Sequence, residues 1–292
     1  MHQTVESFIQ LETADDETTL VASDGSLVST VKLFGARQII GDIEYQWIVD
    51  QATLKLGSRF DRPGYAMQVY FMRDPSTIDQ DIEHVMKSNR SAMRAMELDL
   101  SDLLNERSRH LARFMAHEEI YLVLWTRPSV LSKVELTNAI KNRSKKKWVR
   151  APNSQYPMQA LDALRTRHKS YAASITSALE EIGMKAEIMT THESLAAVRS
   201  SMYPSLGREE WRANLPGDPL IPRAPQRGKN DSSDILWPAI RHQLCVGDAA
   251  QVTPNVVRIG PMLWAGVDMT LAPAEPAPFP QLLNRLIDSD VP

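Results

Sequence analysis

The chain has 292 residues, 43% hydrophobic and 24% charged, with a formal net charge of −3. It is long enough for one large domain or two small ones, and a charge this near neutral predicts neither a nucleic acid nor a membrane as partner. One cysteine, Cys245, excludes an internal disulfide framework and suits a reducing compartment, while apolar runs as short as IYLVLW at 120–125 exclude a membrane-spanning helix of roughly 20 residues.

The opening MHQTVESFIQLETADDE lacks the basic start and apolar core of a signal peptide. The first 24 residues carry six acids and no Lys or Arg, a candidate complementary surface for a neighbouring copy. TTLVA, SDG and SLVSTVKLF predict a hairpin around Asp24-Gly25, because Asp-Gly suits the positive-φ positions of a tight turn. GDIEYQWIVDQATLKLG predicts a helix ending at Gly57. YAMQVYFMR at 65–73 is mostly apolar on both faces and predicts a strand internal to a sheet.

Three helix starts carry capping boxes or close variants: Ser76 with Asp79, Ser132 with Glu135, and Thr190 with Glu193. The first opens a helix with Ile78, Ile82, Val85, Met93 and Met96 on one face, and a second helix is expected over roughly 101–117. EIYLVLWTR follows as the central strand. Residues 132–182 predict two helices joined by a polar, Pro-containing link. The second bears Leu161, Leu164, His168, Tyr171, Ile175, Ala178 and Ile182, three and four apart, a narrow seam for one partner helix, and a helical hairpin leaning on the sheet is the economical reading. Gly183 ends it, and MKAEIMT predicts a strand. From Pro204 to Asp234, prolines at 204, 216, 219, 222 and 225 block helix and interior strand, so a long loop is expected. HQLCVG, NVVRIG and PMLWAGVDMTLA predict further strands, and PFPQLLNRLID a closing helix.

The chemistry-bearing patterns are sparse. RAPQRGKNDSSD at 223–234 places Gly228 and Lys229 as in a phosphate loop, but Arg223 stands where the first glycine belongs and Asn230 where the hydroxyl belongs. His110 and His117, with Glu118 and Glu119 following, lie seven apart, about 10 Å along a helix and too far for the usual zinc spacing. Glu97, Asp99 and Asp102 fit a helix N-terminus better than a catalytic pair. Ser, His and Asp are present, but no Gly-x-Ser-x-Gly elbow carries them. Cys245 reads as a packed small hydrophobe.

The distinctive charge feature is KNRSKKKWVR at 141–150, where Lys141, Arg143, Lys145, Lys146, Lys147 and Arg150 surround Trp148. Three readings stay open: a solvated helix C-terminus, where cations suit the dipole; a docking surface for a partner or an anionic membrane leaflet; and a nucleic-acid contact with an aromatic for stacking.

Three blocks, LETADDETTLVASDGSLVSTVKLFG (11–35), LDLSDLLNERSRHLARFMAHEEIYLVLWTRP (98–128) and VVRIGPMLWAGVDMTLAPAEPAPFPQLLNRLID (256–288), together resemble the N-terminal region of the conjugation-type ATPases of type IV secretion. The likeness is to the DotO/IcmB branch of the Dot/Icm (type IVB) systems and the related TraU of IncI plasmids. In that family the region precedes a RecA-like motor with a phosphate loop. The resemblance implies a non-catalytic docking and oligomerisation domain that holds the motor to inner-membrane secretion proteins and to other ATPase subunits. It also implies residence in the bacterial cytoplasm, peripheral to the inner membrane, with ATP and magnesium belonging to the motor and no cofactor in this chain.

The expected architecture is an α/β (α+β) domain over 1–203. It has a mixed sheet, helices mainly on one face and the helical hairpin 132–182. A Pro-rich flexible loop covers 204–234, and strands and a helix over 235–292 return to the same domain. The alternative function is a nucleic-acid-binding module using 141–150.

Overall fold

The computed structural model describes residues 2–3, 5–38, 40–57, 63–74, 78–145, 162–204, 211–215, 218, 238–246, 250–259 and 262–265. In chain order the strands are β1 (His2–Gln3), β2 (Leu11–Ala14), β3 (Leu20–Ala22), β4 (Leu27–Ala36), β5 (Tyr65–Asp74), β6 (His117–Thr126), β7 (Met184–Ile188), β8 (Ala250–Val252), β9 (Val257–Ile259) and β10 (Met262–Trp264). The helices are α1 (Asp42–Gly57), α2 (Ile78–Ala95), α3 (Ser101–Ala112), α4 (Lys133–Lys145), α5 (Asp162–Glu181), α6 (Thr191–Met202) and α7 (Ile240–Leu244).

The chain forms two compact units, one of 1–5 with 247–292 and one of 6–246. In the smaller unit β1, β8, β9 and β10 form an antiparallel four-stranded sheet. The stretch 235–292 is thus divided, since α7 belongs to the larger unit.

The larger unit is the α+β fold expected. Its sheet runs β2-β3-β4-β6-β5, with β7 added beside β4. Every described pair is antiparallel, so the sheet is not mixed in strand direction. The Asp24-Gly25 turn joins β3 to β4. Gly25 sits at φ 82, and the Asp24 carboxylate accepts from the Ser26 N–H and Oγ, both at 2.9 Å. β6 is central, pairing with β4 from Leu27↔Thr126 to Leu33↔Ile120 and with β5 from Tyr65↔Thr126 to Asp74↔His117.

Strand alternation divides the core between the two faces. Val31, Leu122 and Leu124 face α5 through Tyr171, Ala172, Ile175 and Leu179, with Ile48, Ala52 and Leu56 of α1 packed alongside. Val28, Val123 and Trp125 face Leu195 of α6 and Ile240 and Leu244 of α7. Helices therefore flank both faces, not mainly one, because both faces of β4 and β6 are apolar. A third cluster, Ile78, Ile82, Met86 and Leu104, holds α2 to α3.

Several expectations are corrected. β5 ends the described strand order with Val69 and Phe71 exposed, so it is not internal. The α2 face runs through Met86, leaving Val85 and Met96 exposed. α3 stops at Ala112, and His117 opens β6 instead. α5 leans on the sheet as expected, but its seam meets the sheet and α1 instead of one partner helix, and its tie to α4 is the Arg167–Glu135 pair at 2.7 Å. HQLCVG contributes to α7, because Ile240 and Leu244, one turn apart, both bury. Within 204–234, Ala213 and Leu215 are core residues, and Asp218 holds them by accepting from the Leu215 N–H at 2.8 Å. Ser76, Leu161, the Gly228-Lys229 pair and the closing helix lie outside the described residues.

Candidate binding groove

One face of the sheet, α6 and the segment Phe8, Ile9 and Gln10 line an open groove of about 420 Å³. The strands supply Leu20, Val28, Thr30, Tyr70, Tyr121, Val123 and Trp125. α6 supplies Ser194, Ala197, Val198 and Ser201, at i, i+3, i+4 and i+7. This mostly small-residue stripe is the physical origin of the void, because short side chains over a sheet leave space between them. α6 is fixed by the capping box foreseen in the sequence: the Glu193 N–H donates to Thr190 Oγ1 at 3.2 Å, and the Thr190 N–H to Glu193 at 2.8 Å. The bonds its carboxylate accepts from the Thr190 N–H and hydroxyl, both at 2.8 Å, hold the Glu193 carboxyl below its ordinary range. The volume and the mostly apolar lining with a few polar atoms are those of a ligand or side-chain pocket.

At one end of the groove the Tyr121 hydroxyl donates to Glu119 at 2.7 Å. Glu119 is only 6% exposed and receives Lys32 Nζ at 3.0 Å. His117 Nε2 lies 3.5 Å from the same carboxylate, and its Nδ1 lies 2.7 Å from Asp81 of α2. A buried carboxylate matched by a cation and a hydroxyl is a positioning element that sets Tyr121 at the groove end.

The other sheet face carries a second polar cluster. His168 of α5 is 1% exposed, with Nε2 2.8 Å from Ser29 Oγ and Nδ1 2.8 Å from Thr126 Oγ1. Ser29 Oγ donates to the Thr18 carbonyl at 2.7 Å, so it accepts from Nε2–H, and Nδ1 accepts from the Thr126 hydroxyl. Every site on the ring is satisfied in the neutral form. Burial pushes the His168 pKa down to about 4, only partly offset by Asp16 and Asp15. A serine beside a histidine invites a nucleophile reading, but this serine proton is already given away and both groups are closed to solvent. The cluster fastens α5 to the sheet.

The residues weighed from sequence are dispersed. Lys141 is exposed near the end of α4. Arg143 and Lys145 continue its helical backbone, while Lys146, Lys147, Trp148 and Arg150 lie outside the described residues. His110, on α3, meets the Phe114 ring in a tilted contact at 5.1 Å, whereas His117 opens β6. The Asp99 carboxylate accepts from the Ser101 N–H at 3.2 Å, as an acid before a helix does. The Cys245 Sγ donates to the Arg241 carbonyl at 3.2 Å, and burial pushes the thiol up. Four of the six acids of the first 24 residues pair within the chain: Asp15 with Arg165 at 2.6 Å, Asp16 with Lys169 at 2.8 Å, Glu12 with Arg241 at 2.5 Å and Glu6 with His242 at 2.6 Å. Among the described residues no group of three or more His, Cys, Asp or Glu is arranged to hold a metal ion, and no helix is long and apolar enough to cross a membrane.

The groove was not foreseen. Its only trace in the sequence is the Ser194, Ala197, Ser201 spacing, which becomes meaningful once Tyr121 and Trp125 are known to face it. No protein-family model matches the chain, and no curated protein matches it.

Proposed function

We propose that this chain is a docking and assembly module that works by surface recognition, of the kind its resemblance to the N-terminal region of DotO/IcmB-type secretion ATPases implies. The observation that carries the reading is the groove: a recess of about 420 Å³, mostly apolar, beside the Tyr121–Glu119 hydrogen bond. The hairpin and central strand that line it belong to the first two resembling blocks; α6, the segment Phe8, Ile9 and Gln10, and Gln68 and Tyr70 of β5 complete the lining from outside them. Such a recess receives an apolar side chain or segment of a partner, and the Tyr121 hydroxyl with its Glu119 acceptor marks one end.

In this reading the partner is a protein of the inner-membrane secretion complex, and the chain acts at the cytoplasmic side of that membrane, with nucleotide chemistry residing in a motor. Ala197→Trp, which fills the groove from the small-residue stripe of α6, tests it. Binding of the purified chain to reconstituted inner-membrane secretion components is expected to weaken at least tenfold in the variant. Equal binding by the filled and open forms, or no binding by either, would refute the reading.

A further inference from the structure

Helix α1 is apolar on two opposite sides. Ile48, Ala52 and Leu56 pack against the core. Ile43, Trp47 and Leu54, at 83%, 51% and 69% exposure, lie about half a turn away at about 100° per residue, while the other exposed apolar residues of the helix, Tyr45 and Val49, flank the core-facing side. With Asp50 they are spaced four, three and four apart, the rhythm of a two-helix seam. A surface helix ordinarily opposes its apolar stripe with a polar one; this one offers a second apolar stripe to solvent.

We infer that the outer stripe of α1 pairs with α1 of a second copy of this chain, antiparallel about a two-fold axis. The side chains select both the occupant and the direction. Antiparallel pairing places Ile43 against Leu54 of the second copy, and Trp47 against its Asp50, so an indole N–H meets a carboxylate, each contact twice. Parallel pairing would stack Asp50 on Asp50 and put the acidic first turns, Asp42 and Glu44, side by side. Glu44 and Lys55 lie on the same flank of the stripe, and only the antiparallel arrangement brings Glu44 of one copy within reach of Lys55 of the other. Lys55 already meets Glu181 of its own chain, so it would sit between two carboxylates. The helix dipoles also oppose one another favourably in this direction. One such two-helix contact is at the small end of specific interfaces, so the dimer is reversible and concentration-dependent.

The inference rests on the assembly reading above, and the two fail separately. Sedimentation of the full chain over a concentration series is expected to show a monomer–dimer equilibrium whose dissociation constant rises at least tenfold in Ile43→Asp and in Leu54→Asp. These are solvent-facing positions, so the variants keep the fold, which circular dichroism checks. Orientation is read by mild oxidation and peptide mapping, which separates any product of the native Cys245. Ile43→Cys chains mixed with Leu54→Cys chains give a 43–54 disulfide, and neither variant alone gives a 43–43 or 54–54 one. An unchanged dimer in the aspartate variants, or a dominant 43–43 product, overturns the pairing. So does a chain that stays monomeric and instead binds anionic vesicles through the same stripe. A monomeric chain that still binds the inner-membrane components removes the α1 contact and leaves docking intact; a dimer without such binding does the reverse.

Discussion

His168 shows what a single buried residue contributes. In the unfolded chain it titrates near 6.5, and burial lowers it to about 4 in the fold. Above pH 6.5 the ring is neutral in both states and its hydrogen bonds are fully available. As pH falls from 6.5 to 4 the unfolded chain takes up a proton that the fold refuses, so stability drops, by about 3 kcal/mol from this group. Denaturant unfolding at several pH values should show this slope, and His168→Leu should flatten it. One helical turn supplies two neighbouring ties: Arg165 forks onto buried Asp15, with Nε 2.6 Å from Oδ2 and an NH2 contact of 2.6 Å to Oδ1, and Lys169 meets Asp16. Arg165→Met strands the Asp15 charge and is expected to cost about 3 kcal/mol, much of which the further change Asp15→Ala returns. Of these three, only His168 is legible from sequence, as a member of the periodic α5 seam; nothing in the sequence singles out Arg165 and Lys169. Their partners are not legible either, since Asp15, Asp16 and Ser29 come from a hairpin about 140 to 150 residues earlier and Thr126 from the central strand, and the acids look from sequence like a free acidic end.

Among the elements, those with local signals were readable. The Asp-Gly turn, the Thr190 and Ser132 boxes and the uninterrupted apolar run of β6 each carry their cause within a few residues. Thr190→Ala removes the acceptor for the Glu193 N–H and should lower stability by about 1 kcal/mol in equilibrium unfolding, with the first turn of α6 losing amide-exchange protection before the rest of the helix. The errors fall where short apolar segments are ambiguous. β5 is apolar on both faces yet exposes Val69 and Phe71, and HQLCVG gives residues to a short helix because Ile240 and Leu244 find the same core. α1 was recognised as a helix, but its two opposed apolar sides emerge only when the core-facing side is known.

On the scale of the whole molecule the fold class was legible and the groove was not. Alternation along a strand says that both faces are apolar; it does not say that one will be filled by the bulky α5 residues Tyr171 and Ile175 and the other left open by Ser194, Ala197 and Ser201. That difference depends on which helix lands on which face, a matter of chain connection over more than a hundred residues. It also separates the two faces in role: the α5 side is closed by satisfied hydrogen bonds and ion pairs, while the α6 side keeps a recess with an ordered polar end. In the function proposed above, that recess is where the partner docks.

The most direct test measures binding and turnover on one preparation of residues 1–292. The account predicts saturable binding to reconstituted inner-membrane secretion components, at least tenfold weaker in Ala197→Trp, with no nucleotide hydrolysis by either form. Hydrolysis by the purified chain, or binding indifferent to the filled groove, would contradict it.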